Sequence, residues 1–417
     1  MEKSKVFKYL TIALFIIIVF IFTLINISKY RFGYFIKGPI MQYTHNKSEI
    51  ITLNDGNILV FGTNEYRISE NSQIAKLVRQ IPFEIYNPDE NKFINYKFPI
   101  DFAYLPKGLL LNDNQLLLTF VYDYKKTNVE FPYSSMAIVN LKTKKFEKII
   151  QKKINKQYKP NLENTSFTLL NNGEILIIDF ENQISEIYNY KNNSSKVLNI
   201  KINKQYGSKV IAQDKNKALI FDNLGNVQEF DASTLKLKVL GKYSGRENGI
   251  LKRINSNEIL LLGGNEYPFS FTVPSDNGQE IEIYNTKTNT SKVICKLQKK
   301  RNYDYRNKIS SFTLAPINNR YYLISGGQAG SPTWSFHLKS TEILDLKNNK
   351  TIKGPNMKSA HFNHKMIPLK NGDILIFDNQ YDYHFLQSTE IFKVRKWVKK
   401  WMNIIMTTDF VIAKPYF

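Results

Sequence analysis

The chain has 417 residues, with 58 Lys and Arg against 36 Asp and Glu, a formal charge of +22 and one cysteine, Cys295. A single cysteine excludes an intrachain disulfide framework. The sequence has no Gly-rich phosphate loop, Gly-x-Ser-x-Gly elbow or His-Glu-x-x-His pair, and its charge comes without a nucleic-acid-binding motif. No cofactor, metal or specific nucleic-acid partner is therefore expected.

In chain order, the first element is an apolar stretch. Residues 9–28 are twenty positions without a charge, enough for a helix rising about 1.5 Å per residue to cross a hydrocarbon core of about 30 Å. No small-x-small cleavage site follows it. Residues 1–31 thus read as an N-terminal transmembrane anchor with short flanks. Lys3, Lys5 and Lys8 before it balance Lys29, Arg31 and Lys37 after it, so charge leaves the orientation open. A first helix this near the N-terminus, ahead of a large strand-rich domain, reads as a signal anchor. The expectation is a single-pass protein of the cell membrane with its domain outside the cytoplasm.

Next comes GPIMQYTHNKSEIITLNDGNILVFG, from Gly38 to Gly62. It returns 316 positions later, from Gly354 to Asp378, as GPNMKSAHFNHKMIPLKNGDILIFD. Ten positions match without a gap: Gly38, Pro39, Met41, His45, Ile51, Leu53, Gly56, Ile58, Leu59 and Phe61. Internal repetition of this kind fixes the architecture before any local assignment. Each copy reads as an apolar strand, an Asn/Gly turn and an apolar run, which is a β-hairpin. Five further copies lie between the ends, at NDNQLLLTF, NNGEILIID, DKNKALIFD, NSNEILLLG and INNRYYLISG. Each of the seven is followed by a third strand: EIYN from Glu84, AIVN from Ala137, EIYN from Glu186, QEFD from Gln228, EIYN from Glu282, EILD from Glu342 and EIF from Glu390. Most of these close with a polar hairpin into a fourth. Four short strands at this spacing are propeller blades, which bury their faces only against one another. The predicted fold class is all-β, a seven-bladed propeller over residues 38–417. Either the segment ahead of Gly38 or the C-terminal tail must complete an end blade, and residues 409–413 are expected on the ring.

The repeat resembles the kelch repeat in a bacterial, membrane-anchored setting. The resemblance rests on the second strand ending in Gly263-Gly264 or Gly326-Gly327, the variable loop, and the Glu-apolar-Tyr-Asn strand with its polar hairpin. It covers roughly residues 38–400. It implies a kelch-type propeller that serves as an interaction or carbohydrate-binding module. Some propellers of this family are similar to sialic-acid mutarotases, so an epimerase or mutarotase acting on an acidic sugar is the alternative. Arg246, Glu247, Arg253, Glu266, Arg301, Arg306 and Arg320 are the charged groups it would draw on.

The longest connections follow the second strands after Gly62, Gly264 and Gly327, so they should line one mouth. Asn64-Glu65-Tyr66 recurs as Asn265-Glu266-Tyr267 at the start of two of them. The candidate ligand-binding residues are Glu65, Tyr66, Glu266, Tyr267, Trp334, His337, Tyr381 and His384, a mixture of aromatic and polar groups suited to a glycan or a protein segment. Basic runs at Lys142–Lys159 and Lys393–Trp401 suit an anionic lipid or wall polymer. His361 and His364, three apart in a segment read as extended, are expected on opposite faces. His45, the repeat-equivalent of His361, shares its expected structural role.

Overall fold

The computed structural model describes residues 11–20, 30–43, 45–70, 74–80, 83–96, 104–121, 134–152, 165–200, 202, 208–213, 216–246, 249–264, 276–301, 312–331, 334–361, 363–377 and 388–403. Its strands form seven antiparallel blades. Ahead of the first blade lies β1 (Gly33–Lys37). Blade one holds β2 (Asn46–Thr52), β3 (Ile58–Glu70), β4 (Ile74–Gln80), β5 (Phe83–Asn87) and β6 (Lys92–Asn95), with β4 paired to the extension of β3. Blade two is β7 (Tyr104–Asn112), β8 (Gln115–Val121), β9 (Ser134–Asn140) and β10 (Lys145–Lys152). Blade three is β11 (Thr165–Leu169), β12 (Ile175–Asp179), β13 (Ile184–Asn189) and β14 (Ser194–Val197). Blade four is β15 (Lys209–Gln213), β16 (Lys217–Phe221), β17 (Asn226–Asp231) and β18 (Lys236–Lys242). Blade five is β19 (Ile250–Asn255), β20 (Glu258–Leu262), β21 (Glu280–Asn285) and β22 (Thr290–Lys296). Blade six is β23 (Phe312–Pro316), β24 (Tyr321–Gly326), β27 (Thr341–Asp345) and β28 (Lys350–Lys353), with the small hairpin β25 (Gln328–Ser331) and β26 (Trp334–His337) between its second and third strands. Blade seven is β29 (Lys365–Pro368), β30 (Ile374–Phe377) and β31 (Thr389–Val394), completed by β1.

The apolar runs of the repeat are second strands, and their position explains why they do not alternate. Ile58, Leu59, Val60 and Phe61 are all fully buried. Leu59 and Phe61 pack on Leu116 and Leu118 of blade two, whereas Ile58 and Val60 pack on Leu375 and Phe377 of blade seven. A strand covered on both faces reads as continuous hydrophobic sequence, the pattern familiar from buried parallel sheets. The same division holds around the ring: seven apolar clusters fill the seven interfaces between consecutive blades, the last joining blade six to blade seven.

The recurrent EIYN has a separate physical reason at each polar position. Tyr86, Tyr188 and Tyr284 donate their hydroxyls to Asn91, Asn193 and Asn289 at 2.9, 2.9 and 3.3 Å. Those three asparagines occupy the left-handed region, with φ of 51°, 59° and 56°, which Asn tolerates better than most side chains. Desolvation by burial pushes each of the three phenols up to about 12. The Asn that ends the strand makes the turn itself: Asn87 accepts the backbone N–H of Asp89 and Glu90, and Asn285 those of Lys287 and Thr288. Between first and second strands, Gly56, Gly173 and Gly372 have φ of 88°, 83° and 80°, which accounts for Gly in those turns.

Closure uses the N-terminal segment. β1 pairs with β31 in register from Gly33 opposite Val394 to Lys37 opposite Glu390. Phe35 is buried, its ring 4.9 Å from that of Phe392. The ring thus begins at Gly33, ahead of the expected boundary at Gly38, because GYFIK supplies the fourth strand that blade seven lacks. The short helix α1 (Lys396–Asn403) follows β31. Residues 409–413, expected on the ring, lie outside the described residues. Residues 11–20 are helical, and among the described residues no helix is long and apolar enough to cross a membrane. The rest of the apolar stretch lies outside them.

Strand direction gives the ring two distinct faces. First strands start, second strands end and third strands start on one face, so this mouth face carries the connections after β3 and β24. The opposite face carries the first-to-second turns and the third-to-fourth hairpins. It also receives residues 30–32 and α1, because β1 starts and β31 ends there.

Candidate functional site

The Glu of EIYN builds a clamp at the mouth face. Glu84 accepts the backbone N–H of Gln42 at 2.7 Å and of Tyr43 at 3.2 Å, and stands 2.8 Å from Nε2 of His45. Glu390 repeats the pattern with the N–H groups of Lys358 and Ser359 and Nε2 of His361 at 2.9 Å. In blades five and six Arg replaces His: Arg246 reaches Glu282 at 3.0 Å, and Arg301 reaches Glu342 at 3.1 Å. All four carboxylates are buried. Each holds the connection entering its own blade from the previous one. Burial pushes the Glu390 carboxyl up, but hydrogen bonds from His361, Lys358 and Ser359 outweigh this and hold it below its ordinary range. Gly38 and Gly354 stand where a Cβ would collide with Thr389 and Thr341, whose hydroxyls donate to the carbonyls of Pro39 and Pro355. The matching Gly, Pro and His of the two most similar repeats are therefore parts of one joint.

The clamps absorb several residues considered for chemistry. Arg246 and Arg301 are buried structural cations; desolvation lowers the pKa of each and the paired Glu raises it. Arg320 grips Asp345 with two bonds of 2.7 and 2.8 Å. Arg253 donates to the carbonyls of Ser256 and Ala212, joining blades four and five. Glu247, Glu266 and Arg306 lie outside the described residues.

His361 and His364 are not on opposite faces: their rings lie 5.5 Å apart, and His364 is 2.6 Å from the Ser325 hydroxyl. Asn363 between them has φ of 52°, which breaks the extended alternation. Desolvation, then the neighbouring His361 and Arg301, hold His364 well below its ordinary pKa, so it is a buried neutral imidazole.

Of the candidate ligand residues, Glu65 and Tyr66 lie on the extension of β3, opposite Arg79 and Val78 of β4. Trp334 and His337 lie on β26, opposite Ser331 and Gln328. The connections expected as loops are thus built in part from hairpins, on the mouth face of blades one and six. Blade seven separates the two pairs. Glu266, Tyr267, Tyr381 and His384 lie outside the described residues.

Sequence reasoning missed the groups that line the channel beneath this face. On the innermost strands, Glu49 sits opposite Phe61, Lys107 opposite Thr119, Lys209 opposite Phe221 and Lys365 opposite Phe377. Each partner lies five positions after the turn residue of its blade, so these four residues of blades one, two, four and seven share one layer of the ring. Lys107 donates to the Thr165 carbonyl of the next blade at 2.6 Å. Lys209 is reached by solvent but walled by the ring: desolvation lowers its pKa, Lys365 lowers it further and Glu49 raises it. Side chains from blades four, seven and one therefore feel one another across the channel. Lys252, one pleat deeper opposite Leu260, is pushed down to about 8 by desolvation. Among the described residues of these layers, Lys107, Lys209, Lys252 and Lys365 outnumber Glu49, a balance that favours an anionic group. The signal was present only as Lys at matching offsets from the turns.

Among the described residues no group of His, Cys, Asp and Glu could hold a metal ion. Cys295 is half-buried, its thiol pushed up to about 11 by desolvation and then Glu342, which makes it a poor nucleophile. A polar cleft of 380 Å³ between the outer hairpins of blades three and four, lined by Glu174, Asn189, Ser194 and Ser233 among others, opens on the opposite face and is shallow. No protein-family model matches the chain, and no curated protein matches it.

Proposed function

We propose that this chain is a membrane-tethered, kelch-type propeller that acts outside the cytoplasm as an interaction module and takes an anionic glycan at its mouth. The observation that carries this reading is the coincidence on one face of the elaborated connections, with Glu65, Tyr66, Trp334 and His337, and the lysine layer of the channel. Aromatic and amide-bearing hairpins over a basic floor suit a ring-shaped, acid-bearing ligand. The kelch assignment is supported by the double glycines Gly263-Gly264 and Gly326-Gly327, all four at positive φ, and by the Glu clamp in the EIYN strand. The tether is supported by the twenty uncharged positions at residues 9–28, which precede the face opposite the mouth. An epimerase acting on an acidic sugar is the second reading; Arg246, Arg301 and Arg320, committed to ion pairs within the fold, weigh against it.

The test is a glycan array probed with the detergent-solubilised chain and with a variant in which Tyr66 and Trp334 are both replaced by Ala. Loss of the bound glycan with unchanged thermal unfolding supports the mouth as the site. Undiminished binding rejects it.

A further inference from the structure

The face opposite the mouth carries an aromatic and basic patch where the apolar stretch meets the ring. Tyr30 is the second residue after Ser28, the last of the uncharged positions. Trp397 of α1 donates its indole N–H to the Arg31 carbonyl at 3.2 Å, and the Arg31 guanidinium lies 5.4 Å from the Trp397 ring. Arg395 reaches back to the Tyr30 carbonyl at 3.5 Å and lies 5.3 Å from the Tyr34 ring. Val398 is buried in the cluster between blades six and seven and roots α1 on the ring. The aromatic rings nonetheless stay in the open: Tyr30, Tyr34 and Trp397 are 40 %, 41 % and 41 % exposed.

The charges divide into two sets. Lys393 and Lys399 are taken by Asp373, at 2.9 and 2.6 Å. Arg31, Arg395 and Lys396 have no carboxylate partner among the described residues. Exposed Tyr and Trp interleaved with Arg and Lys that lack a carboxylate partner among the described residues, soon after an apolar stretch of sequence, match the composition of a membrane interface, where ring bodies sit among headgroups and cations meet lipid phosphates. The helical residues 11–20 point the same way, with Ile12, Phe15 and Phe20 uncovered at 47 %, 66 % and 61 % exposure.

We infer that Tyr30, Arg31, Tyr34, Arg395, Lys396 and Trp397 dock the propeller on the anionic headgroup layer of the bilayer that holds its anchor. This rests on the tether proposed above. It adds a fixed orientation: the turn face lies on the lipid and the mouth faces away from it.

The full chain is reconstituted in nanodiscs of phosphatidylcholine, with and without about 30 % phosphatidylglycerol. Trp334 and Trp401 are changed to Phe, leaving Trp397 as the one tryptophan. Lipids spin-labelled near the headgroup should quench Trp397 at least about twofold more than lipids labelled deep in the chain. Quenching should rise with phosphatidylglycerol and fall in R395E/K396E. A parallel chain that keeps only Trp334 should stay unquenched. Equal quenching of Trp397 and Trp334 in loaded discs, or no response to lipid charge, overturns the docking. Failure of the chain to enter discs at all overturns the tether instead.

Discussion

Nε2 of His361 stands 2.9 Å from a carboxylate oxygen of Glu390, and His45 and Glu84 repeat the pair at 2.8 Å in the next blade of the ring. Blades five and six make the same joint with Arg246–Glu282 and Arg301–Glu342. Glu84, Glu342 and Glu390 each accept two backbone N–H groups as well as the cation or imidazole, and Glu282 accepts the Ser244 N–H on both of its oxygens. The carboxylate is the point at which one blade fixes the approach of the chain from its predecessor.

Removing the carboxylate should therefore cost far more than removing an exposed pair. In Glu282→Ala the buried Arg246 loses its counter-charge and the Ser244 N–H its acceptor, at a cost of about 3–5 kcal/mol. In Lys217→Ala the partly exposed pair with Glu229 is lost, and the change should stay below about 1 kcal/mol. Urea unfolding of the two variants measures both, and similar midpoints would remove the clamp from the energetics of the ring.

Closure by β1 makes a second demand. Phe35→Ala should cost about 3–5 kcal/mol, since it empties a packed position against Phe392. A chain starting at Tyr30 keeps the fourth strand of blade seven, and one starting at Gly38 exposes the edge of β31. Gel filtration should find the first monomeric and the second prone to associate.

These two cases mark what was legible in the sequence. The blade count was, because second strands covered on both sides must be apolar throughout and the Tyr, Asn and Gly of the turns recur for local reasons. Strand β1 was harder, since GYFIK follows an apolar stretch and carries no turn signal. His361 and His364 were misplaced because one left-handed residue, Asn363, undoes alternation without leaving a clear mark. Of the candidate site, the connections carrying Glu65, Tyr66, Trp334 and His337 were read as loops, whereas strand register builds part of each as a hairpin. The channel lysines were not read at all: Lys209 and Lys365 are 156 positions apart in a Lys-rich chain, and only strand register puts them in one layer.

Stability should depend on pH through His364. Its folded pKa lies well below the ordinary 6.5, so the unfolded chain takes up a proton that the fold refuses. The contribution is fully present above pH 6.5 and is lost as pH falls toward the folded value, at about 1.4 kcal/mol per pH unit for one proton. The loss from Glu390 starts only near its ordinary 4.5, below the pH at which the loss from His364 begins. Unfolding free energies measured between pH 7 and pH 5 should fall less steeply in His364→Gln than in the natural chain, and parallel slopes would contradict the assignment.

Binding at the mouth is tested most directly by its charge preference. Glycans bearing uronate or sialate groups and their neutral counterparts are titrated against the full chain, against K209M/K365M and against K236M, whose lysine is exposed on an outer strand. The natural chain and K236M should favour the acidic glycans, more so at low salt. The double variant should lose about tenfold in affinity for them while unfolding at the same temperature. Equal binding of acidic and neutral glycans, or a double variant that binds as the natural chain does, would contradict an anion site at the mouth.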